Sequence, residues 1–143
     1  MIEQGLGIHV RLCSNVPMIQ VVAAIIEREG RILIGQRQAT QSHPLKWEFP
    51  GGKVEPGESP EQALTRELEE ELAIRNARGE ELLRYDYEYP GKRAIKLIFF
   101  RVISYEGDPQ NLIYRETRWE ARDRLAAFDF VAGDRRFLER FAS

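Results

Sequence analysis

Ile19 to Ile26 form an almost unbroken apolar, β-branched run, and Arg31 to Gly35 repeat the pattern after a polar turn that ends in Gly30. Two such runs joined by a short turn predict a hairpin. A second pair of arms, Glu81 to Tyr89 and Arg93 to Tyr105, flanks Pro90-Gly91. In its second arm Ile95, Leu97 and Phe99 alternate with other residues, and the contiguous stretch LIFF suits a central strand. A helix is written from Ser59 onward, because Ser59, Pro60 and Gln62 stand at the N-cap, N1 and N3 positions of a capping box. Two more helical segments are expected near Arg122 to Ala127 and Asp134 to Phe141, the second carrying apolar Phe137, Leu138 and Phe141. Strands interrupted and followed by a few helices predict an α+β fold built in layers.

Composition narrows the class. A chain of 143 residues can bury one core without staples, and no repeat or linker divides it. We expect one domain over residues 18 to 143, with residues 1 to 17 either a dispensable extension ahead of Met18 or an added edge strand. The net charge of −2 and the lack of a long basic stretch argue against a nucleic-acid polymer as partner. No run approaches the roughly 20 apolar residues needed to span a bilayer, so no membrane partner is expected. Cys13 is the single cysteine, which excludes an internal disulfide and suits a reducing cytoplasm. The oligomeric state is not encoded in any pattern we recognise.

The chemistry is concentrated in the helix after Ser59. Positions i, i+3 and i+4 lie within about 100° of arc, so Glu67, Glu70 and Glu71 share a face. Like charges at i and i+4 cost a helix roughly 0.2–0.5 kcal/mol, an expense that a divalent cation would remove. Magnesium, which prefers a few carboxylate oxygens plus waters and phosphates, fits such an open face. One cysteine and two histidines are too few for zinc. Upstream, Gly51 and Gly52 allow the backbone to come close to a metal or ligand. A Glu-rich helix by itself is most often a solvated face, as Glu69 is expected to be. The added spacing of Gly52, Glu58 and Arg66 removes that ordinary reading.

That spacing carries a resemblance. Gly52, five residues, Glu58, seven residues, Arg66-Glu67-Leu68, one residue, Glu70-Glu71, one residue, Ala73 and Ile74 resemble the Nudix box, with only the glycine expected at position 73 missing. Residues 18 to 143 resemble the MutT and CTP pyrophosphohydrolase branch of that family, with VVAAIIEREGRILIGQR before the box and Trp119 to Asp134 after it. The resemblance implies an α/β/α sandwich around a mixed sheet. It also implies magnesium-dependent hydrolysis, with manganese a possible substitute, of a nucleoside triphosphate to the monophosphate and pyrophosphate. An oxidised nucleotide such as 8-oxo-dGTP is the first expectation for substrate, in a role of nucleotide-pool sanitisation. CTP or a modified pyrimidine triphosphate is the alternative. From other classes, a non-hydrolysing nucleotide sensor is opposed by the intact Glu67, Glu70 and Glu71, and a protein-binding acidic face remains the structural reading.

Residue roles follow from the same resemblance. Glu70 and Glu71 would ligate magnesium, the Gly51 carbonyl would complete the protein side, and Glu67 would be a ligand or the base that orients water. Arg66 and Glu58 would brace the carboxylates. Relatives carry a further glutamate in the loop before the residue matched by Trp119. That position is Ile113 here, and Glu116 or Glu120 is left as a replacement. Alanine at 73 costs roughly 1 kcal/mol where glycine would take the left-handed conformation, so Asn76 is expected to cap the helix instead. For substrate, Arg37 matches a phosphate-contacting arginine. Trp47, Glu48, Phe49 and Pro50 border a base pocket in relatives, although Trp47 and Phe49 also suit a core. Asp134 matches a base-reading Asn or Asp, and it also suits the N-cap of residues 135 to 141.

Overall fold

The computed structural model describes residues 17–141. The expectations for residues 1 to 17 and for Cys13 therefore lie outside the described residues, Pro17 excepted. Strand β1 (Ile19–Ile25) leads through β2 (Glu27–Arg28) and a tight turn into β3 (Arg31–Gln36). Glu29 and Gly30 in that turn both have positive φ, 53° and 78°, as a two-residue hairpin turn matching strand twist requires. Short strands β4 (Trp47–Glu48) and β5 (Gly51–Lys53) precede helix α1 (Pro60–Leu72). The expected second hairpin is β6 (Arg75–Tyr87) and β7 (Ile95–Glu106), turned at Pro90-Gly91 with Lys92 N–H on the Tyr89 carbonyl at 2.9 Å. Strand β8 (Glu116–Ala121), a 3-10 helix (Arg122–Ala127) and helix α2 (Ala132–Phe141) complete the described chain.

Two sheets result. One runs β5-β1-β7-β6, with β1 and β7 parallel and the outer pairs antiparallel. The other is antiparallel and centred on β3, which pairs β2, β4 and β8. Successive residues of the central strands point to opposite faces. Val22, Ala24, Ile98 and Phe100 accordingly pack with Leu64 and Leu68 of α1. Ala23, Ile25, Leu97 and Phe99 pack with Phe137 and Leu138 of α2. Helices thus cover both sides of a mixed sheet, as the resemblance implied, and each large apolar side chain so buried stabilises the fold by about 1.5–3 kcal/mol. Among the described residues no helix is long and apolar enough to cross a membrane.

Helix α1 begins as its sequence says. Ser59 Oγ accepts the Gln62 N–H at 3.1 Å and Gln62 Oε1 accepts the Ser59 N–H at 2.8 Å. Its end departs from expectation. Ala73 itself takes the left-handed conformation (φ 61°, ψ 21°), its N–H bonded to the Glu69 carbonyl at 3.0 Å. Asn76 does not cap α1: it lies within β6, where its side chain donates to Glu106 Oε2 at 2.8 Å. The helix end is held from outside, since Gln110 and Leu112 donate their N–H groups to the Leu72 and Glu71 carbonyls at 2.7 and 3.0 Å. These would otherwise be orphan acceptors. Helix α2 starts earlier than expected, the Arg135 N–H bonding the Val131 carbonyl at 3.0 Å. Asp134 is therefore inside its first turn and is not its N-cap.

The strain at Ala73 makes a test. Ala73→Gly is expected to raise stability by roughly 0.5–1 kcal/mol, read as a higher midpoint in urea unfolding. An unchanged or lower midpoint would show that residue 73 carries no strain.

Candidate active site

The site starts where β5 meets α1. In the antiparallel pair of β1 and β5, Ala24 donates to the Pro50 carbonyl at 2.7 Å and Val54 to the Gln20 carbonyl at 2.9 Å. Hydrogen-bonded pairs alternate along such a ladder, so Val22 with Gly52 is the next bonded pair. Gly51 is thereby left with its N–H and carbonyl directed away from β1. A side chain at Gly51 is impossible twice over, since φ is 153° and a Cβ would meet the Val22 carbonyl oxygen at 1.9 Å. At Gly52 a Cβ would lie 2.0 Å from Glu67 Oε2. Gly51 thus makes room for the β1 backbone and Gly52 for the Glu67 carboxylate.

On α1, Glu71 is turned inward at 7% exposure, its Oε1 accepting the Gly51 N–H at 3.1 Å and the Tyr114 hydroxyl at 2.9 Å. Among the described residues no donor is bonded to its Oε2. Burial pushes the Glu71 carboxyl up to about 8 against these two hydrogen bonds, with Glu67 and Glu48 adding to the rise. Glu67 is pushed up to about 7, first by burial, with Arg66 opposing and Glu70 reinforcing. Glu70 stands at the solvent rim, 3.2 Å from Arg66 Nη1. Glu69 is exposed, as expected.

Arg66 ties this face to the loop before the helix. Its Nε and Nη2 form a fork on the two Glu58 oxygens at 2.8 and 2.9 Å, Nη2 also reaches the Lys53 carbonyl at 2.9 Å, and Nη1 lies 3.6 Å from Glu67 Oε2. This hydrogen-bonding holds Glu58 down to about 2. The expected bracing role thus has a geometric basis: the guanidinium is spent on protein oxygens around the site.

A cleft of about 280 Å³ adjoins the glycines, with Arg37, His43, Glu48, Tyr89 and Asp134 in its wall. Arg37 donates from Nε to the Ser42 carbonyl at 2.7 Å and from Nη1 to Glu48 Oε1 at 3.0 Å. Asp134 is brought there by a link between β4 and the segment before α2, in which Trp47 donates to Asp129 and Val131 donates to Trp47, both at 2.9 Å. Its Oδ2 accepts the Phe49 N–H at 3.0 Å, and burial raises the carboxyl to about 8. A larger groove of about 620 Å³ along Phe128, Asp129 and Leu138 contains none of the expected site residues.

Several expectations need correction. The Phe49 ring, though it borders the cleft, is packed edge-on to Phe99 and Phe137 in the core, so this residue serves the site chiefly through its N–H. Pro50 is buried and absent from the cleft wall, its carbonyl committed to β1. Glu116 and Glu120, left as replacements for the missing loop glutamate, lie on β8 beside Arg118, at 2.7 and 3.9 Å, and neither lines the cleft. Ile113 is exposed, and the adjacent Tyr114 turns inward to Glu71. Tyr114, His43 and Tyr89 were not anticipated. A sign of Tyr114 was present in Gly35, since a glycine inside an apolar strand signals a close approach. A Cβ there would meet the Tyr114 ring at 2.6 Å.

Among the described residues no three acidic, histidine or cysteine side chains are already gathered around a metal-sized point. The reason is visible: Glu70 leans to Arg66 while Glu71 leans to Gly51 and Tyr114. The donor set nevertheless fits magnesium, because it is all oxygen and leaves buried negative charge that protons alone would have to neutralise. Glu67, Glu70, Glu71 and the Gly51 carbonyl are the groups that could hold it.

A helix bearing buried carboxylates against a glycine turn, within this sandwich, defines a hydrolase of phosphoanhydrides, and the chain belongs to the Nudix family, whose domain model matches residues 16–141. It is 42% identical to a CTP pyrophosphohydrolase of Escherichia coli over 87% of this chain and 91% of the relative. It is 40% identical to an 8-oxo-dGTP diphosphatase of Haemophilus influenzae, over 86% of this chain and 90% of that one. The solution structure of the E. coli ORF135 protein superposes with a TM-score of 0.79 at 40% identity, covering 90% of this chain and 91% of that one.

Two outcomes are expected. Gly52→Ala should displace Glu67 and lower turnover by about 100-fold, the scale of a 1 Å misplacement, in a protein whose circular dichroism is unchanged. Without metal, the folded state holds protons on Glu67, Glu71 and Asp134 that the unfolded chain releases above the ordinary carboxylate range. Stability of the metal-free protein should therefore fall as pH rises from about 5 to about 8, and magnesium should reduce that fall. Thermal unfolding in chelator and in magnesium checks this, and a flat profile in chelator would contradict it.

Proposed function

We propose that the chain hydrolyses a nucleoside triphosphate to the monophosphate and pyrophosphate in a magnesium-dependent reaction, with an oxidised purine nucleotide such as 8-oxo-dGTP as substrate. The observation that carries this reading is the seating of the half-buried Glu67 against Gly52 and of the buried Glu71 on the Gly51 N–H, next to the cleft. Bound magnesium would neutralise phosphate charge and lower the pKa of a coordinated water. Glu70, Glu71 and the Gly51 carbonyl are its proposed ligands. Glu67 is a further ligand or the base that takes the water proton as oxygen joins phosphorus and the anhydride bond breaks. Arg66 keeps these carboxylates apart and in place through its fork on Glu58. Arg37, with two N–H groups beyond its bonds to Ser42 and Glu48, is the proposed phosphate contact.

Asp134 and the cleft-lining edge of Glu48 and Phe49 are the proposed base readers. A carboxyl group in the wall accepts from the ring N–H of an 8-oxopurine or from an exocyclic amine. That second chemistry, with the 42% identity to a CTP pyrophosphohydrolase, favours CTP or a modified pyrimidine triphosphate as the second reading.

Pyrophosphate release across a panel of triphosphates in magnesium tests both. Glu70→Gln and Glu71→Gln should lose more than the roughly 10–100-fold typical of changes behind the metal ligands. Asp134→Ala should reduce the preference for the best base by about tenfold, the worth of one hydrogen bond, and an unchanged preference would remove Asp134 from base reading. No turnover on any triphosphate would overturn the proposed reaction.

A further inference from the structure

The segment 110–114, which lies outside the family box, makes three bonds to the end of α1. Gln110 and Leu112 donate to the Leu72 and Glu71 carbonyls at 2.7 and 3.0 Å, and the Tyr114 hydroxyl donates to Glu71 Oε1 at 2.9 Å. Glu71 is thus gripped twice by one short loop, through its backbone carbonyl and through its side chain. The loop is itself closed by Asn111, whose Oδ1 accepts the Tyr114 N–H at 2.7 Å and whose Nδ2 donates to the Tyr114 carbonyl at 2.8 Å. Tyr114 is 6% exposed, and its ring lies flat against Gly35, where any Cβ would come within 2.6 Å. The ring therefore has little room to swing away, and its hydroxyl is held between Glu71, to which it donates, and the neighbouring Glu48.

We infer that Tyr114 is a positioning residue for the metal: it fixes Glu71 so that Oε1 is spent on protein donors and Oε2 alone is presented to the cation. The inference rests on the reading of Glu71 as a metal ligand. With the Gly51 N–H and the Tyr114 hydroxyl both on Oε1, rotation of the carboxylate to a bidentate pose would break two hydrogen bonds. Glu71 is thereby a single-oxygen ligand of fixed direction. The task is one of orientation, performed from behind the ligand. In this chain it falls to Tyr114, the inward-turned neighbour of the exposed Ile113. A neutral hydroxyl at this place adds no further negative charge to a site that already has Glu67, Glu70 and Glu71.

Manganese binding without substrate, followed by electron paramagnetic resonance of the free ion, tests this. Tyr114→Phe keeps the ring under Gly35 and removes only the donor, so it should weaken manganese binding by about 10–100-fold while leaving the unfolding midpoint in chelator nearly unchanged. Asn111→Ala, which loosens the loop without touching the ring, should weaken binding in the same direction. Glu71→Gln should weaken it strongly, and adding Tyr114→Phe to Glu71→Gln should cost nothing more, because the hydroxyl acts through that carboxylate. Full manganese affinity in Tyr114→Phe, or losses that simply add in the double variant, would overturn the positioning role and leave Glu71 as a ligand. Full affinity in Glu71→Gln would overturn the ligand reading itself, and the role of Tyr114 with it.

Discussion

Two carboxylates of one helix, Glu67 and Glu71, are pressed against a pair of glycines, and the surrounding structure is arranged around that burial of negative charge. Removing an ionised carboxylate from water costs several kcal/mol even after relaxation. The protein offsets only part of this, with the Gly51 N–H and the Tyr114 hydroxyl on Glu71 and the flank of Arg66 beside Glu67. The remainder is visible as raised proton affinity of both groups. A divalent cation is the natural complement to such a deficit, and a triphosphate brings one with it.

The frame that holds this deficit is made of separate local devices. At the start of α1 a reciprocal cap satisfies two backbone donors, and at its end an alanine accepts a left-handed backbone while a distant loop covers the last carbonyls. Arg66 sits near the middle of the helix and spans from Glu58 to Glu70, so it ties the loop to the helix. The fork of Arg66 on Glu58 is bidentate and largely shielded from water, so it is better formed than a surface ion pair. Its value is also geometric, since the same guanidinium keeps carboxylates of like charge in set positions.

The cleft beside the acidic face of α1 is assembled from parts with no local relation. Arg37 follows β3, Glu48 closes β4, Tyr89 belongs to the turn between β6 and β7, and Asp134 comes from α2. Asp134 lines the cleft and, through its bond to the Phe49 N–H, ties α2 to the segment leading into the glycine turn. Tyr89 acts similarly at the rim: its hydroxyl accepts the Gly133 N–H at 2.9 Å, and its ring lies 4.8 Å from that of His43. The glycine turn beneath the acidic helix is therefore also a wall of the cleft.

Features bonded across a few residues were legible in the chain. The capping box, the Glu58–Arg66 spacing, the two hairpins and the inward and outward glutamates of α1 follow from helix and strand geometry, which repeats every few residues and needs no knowledge of the rest. What the sequence by itself determined is the acidic helix, the glycine turn before it and hence the family and its chemistry. The tertiary structure alone decided how those groups are held. It set Asp134 on Phe49 instead of at a helix cap, withdrew the Phe49 ring and Pro50 into the interior, left Glu116 and Glu120 on β8 beside Arg118, and brought Tyr114 under Gly35 onto Glu71. Each of these joins segments far apart in the chain, and their meeting depends on strand register and on which side chain fills which space, quantities that no local pattern of residues contains.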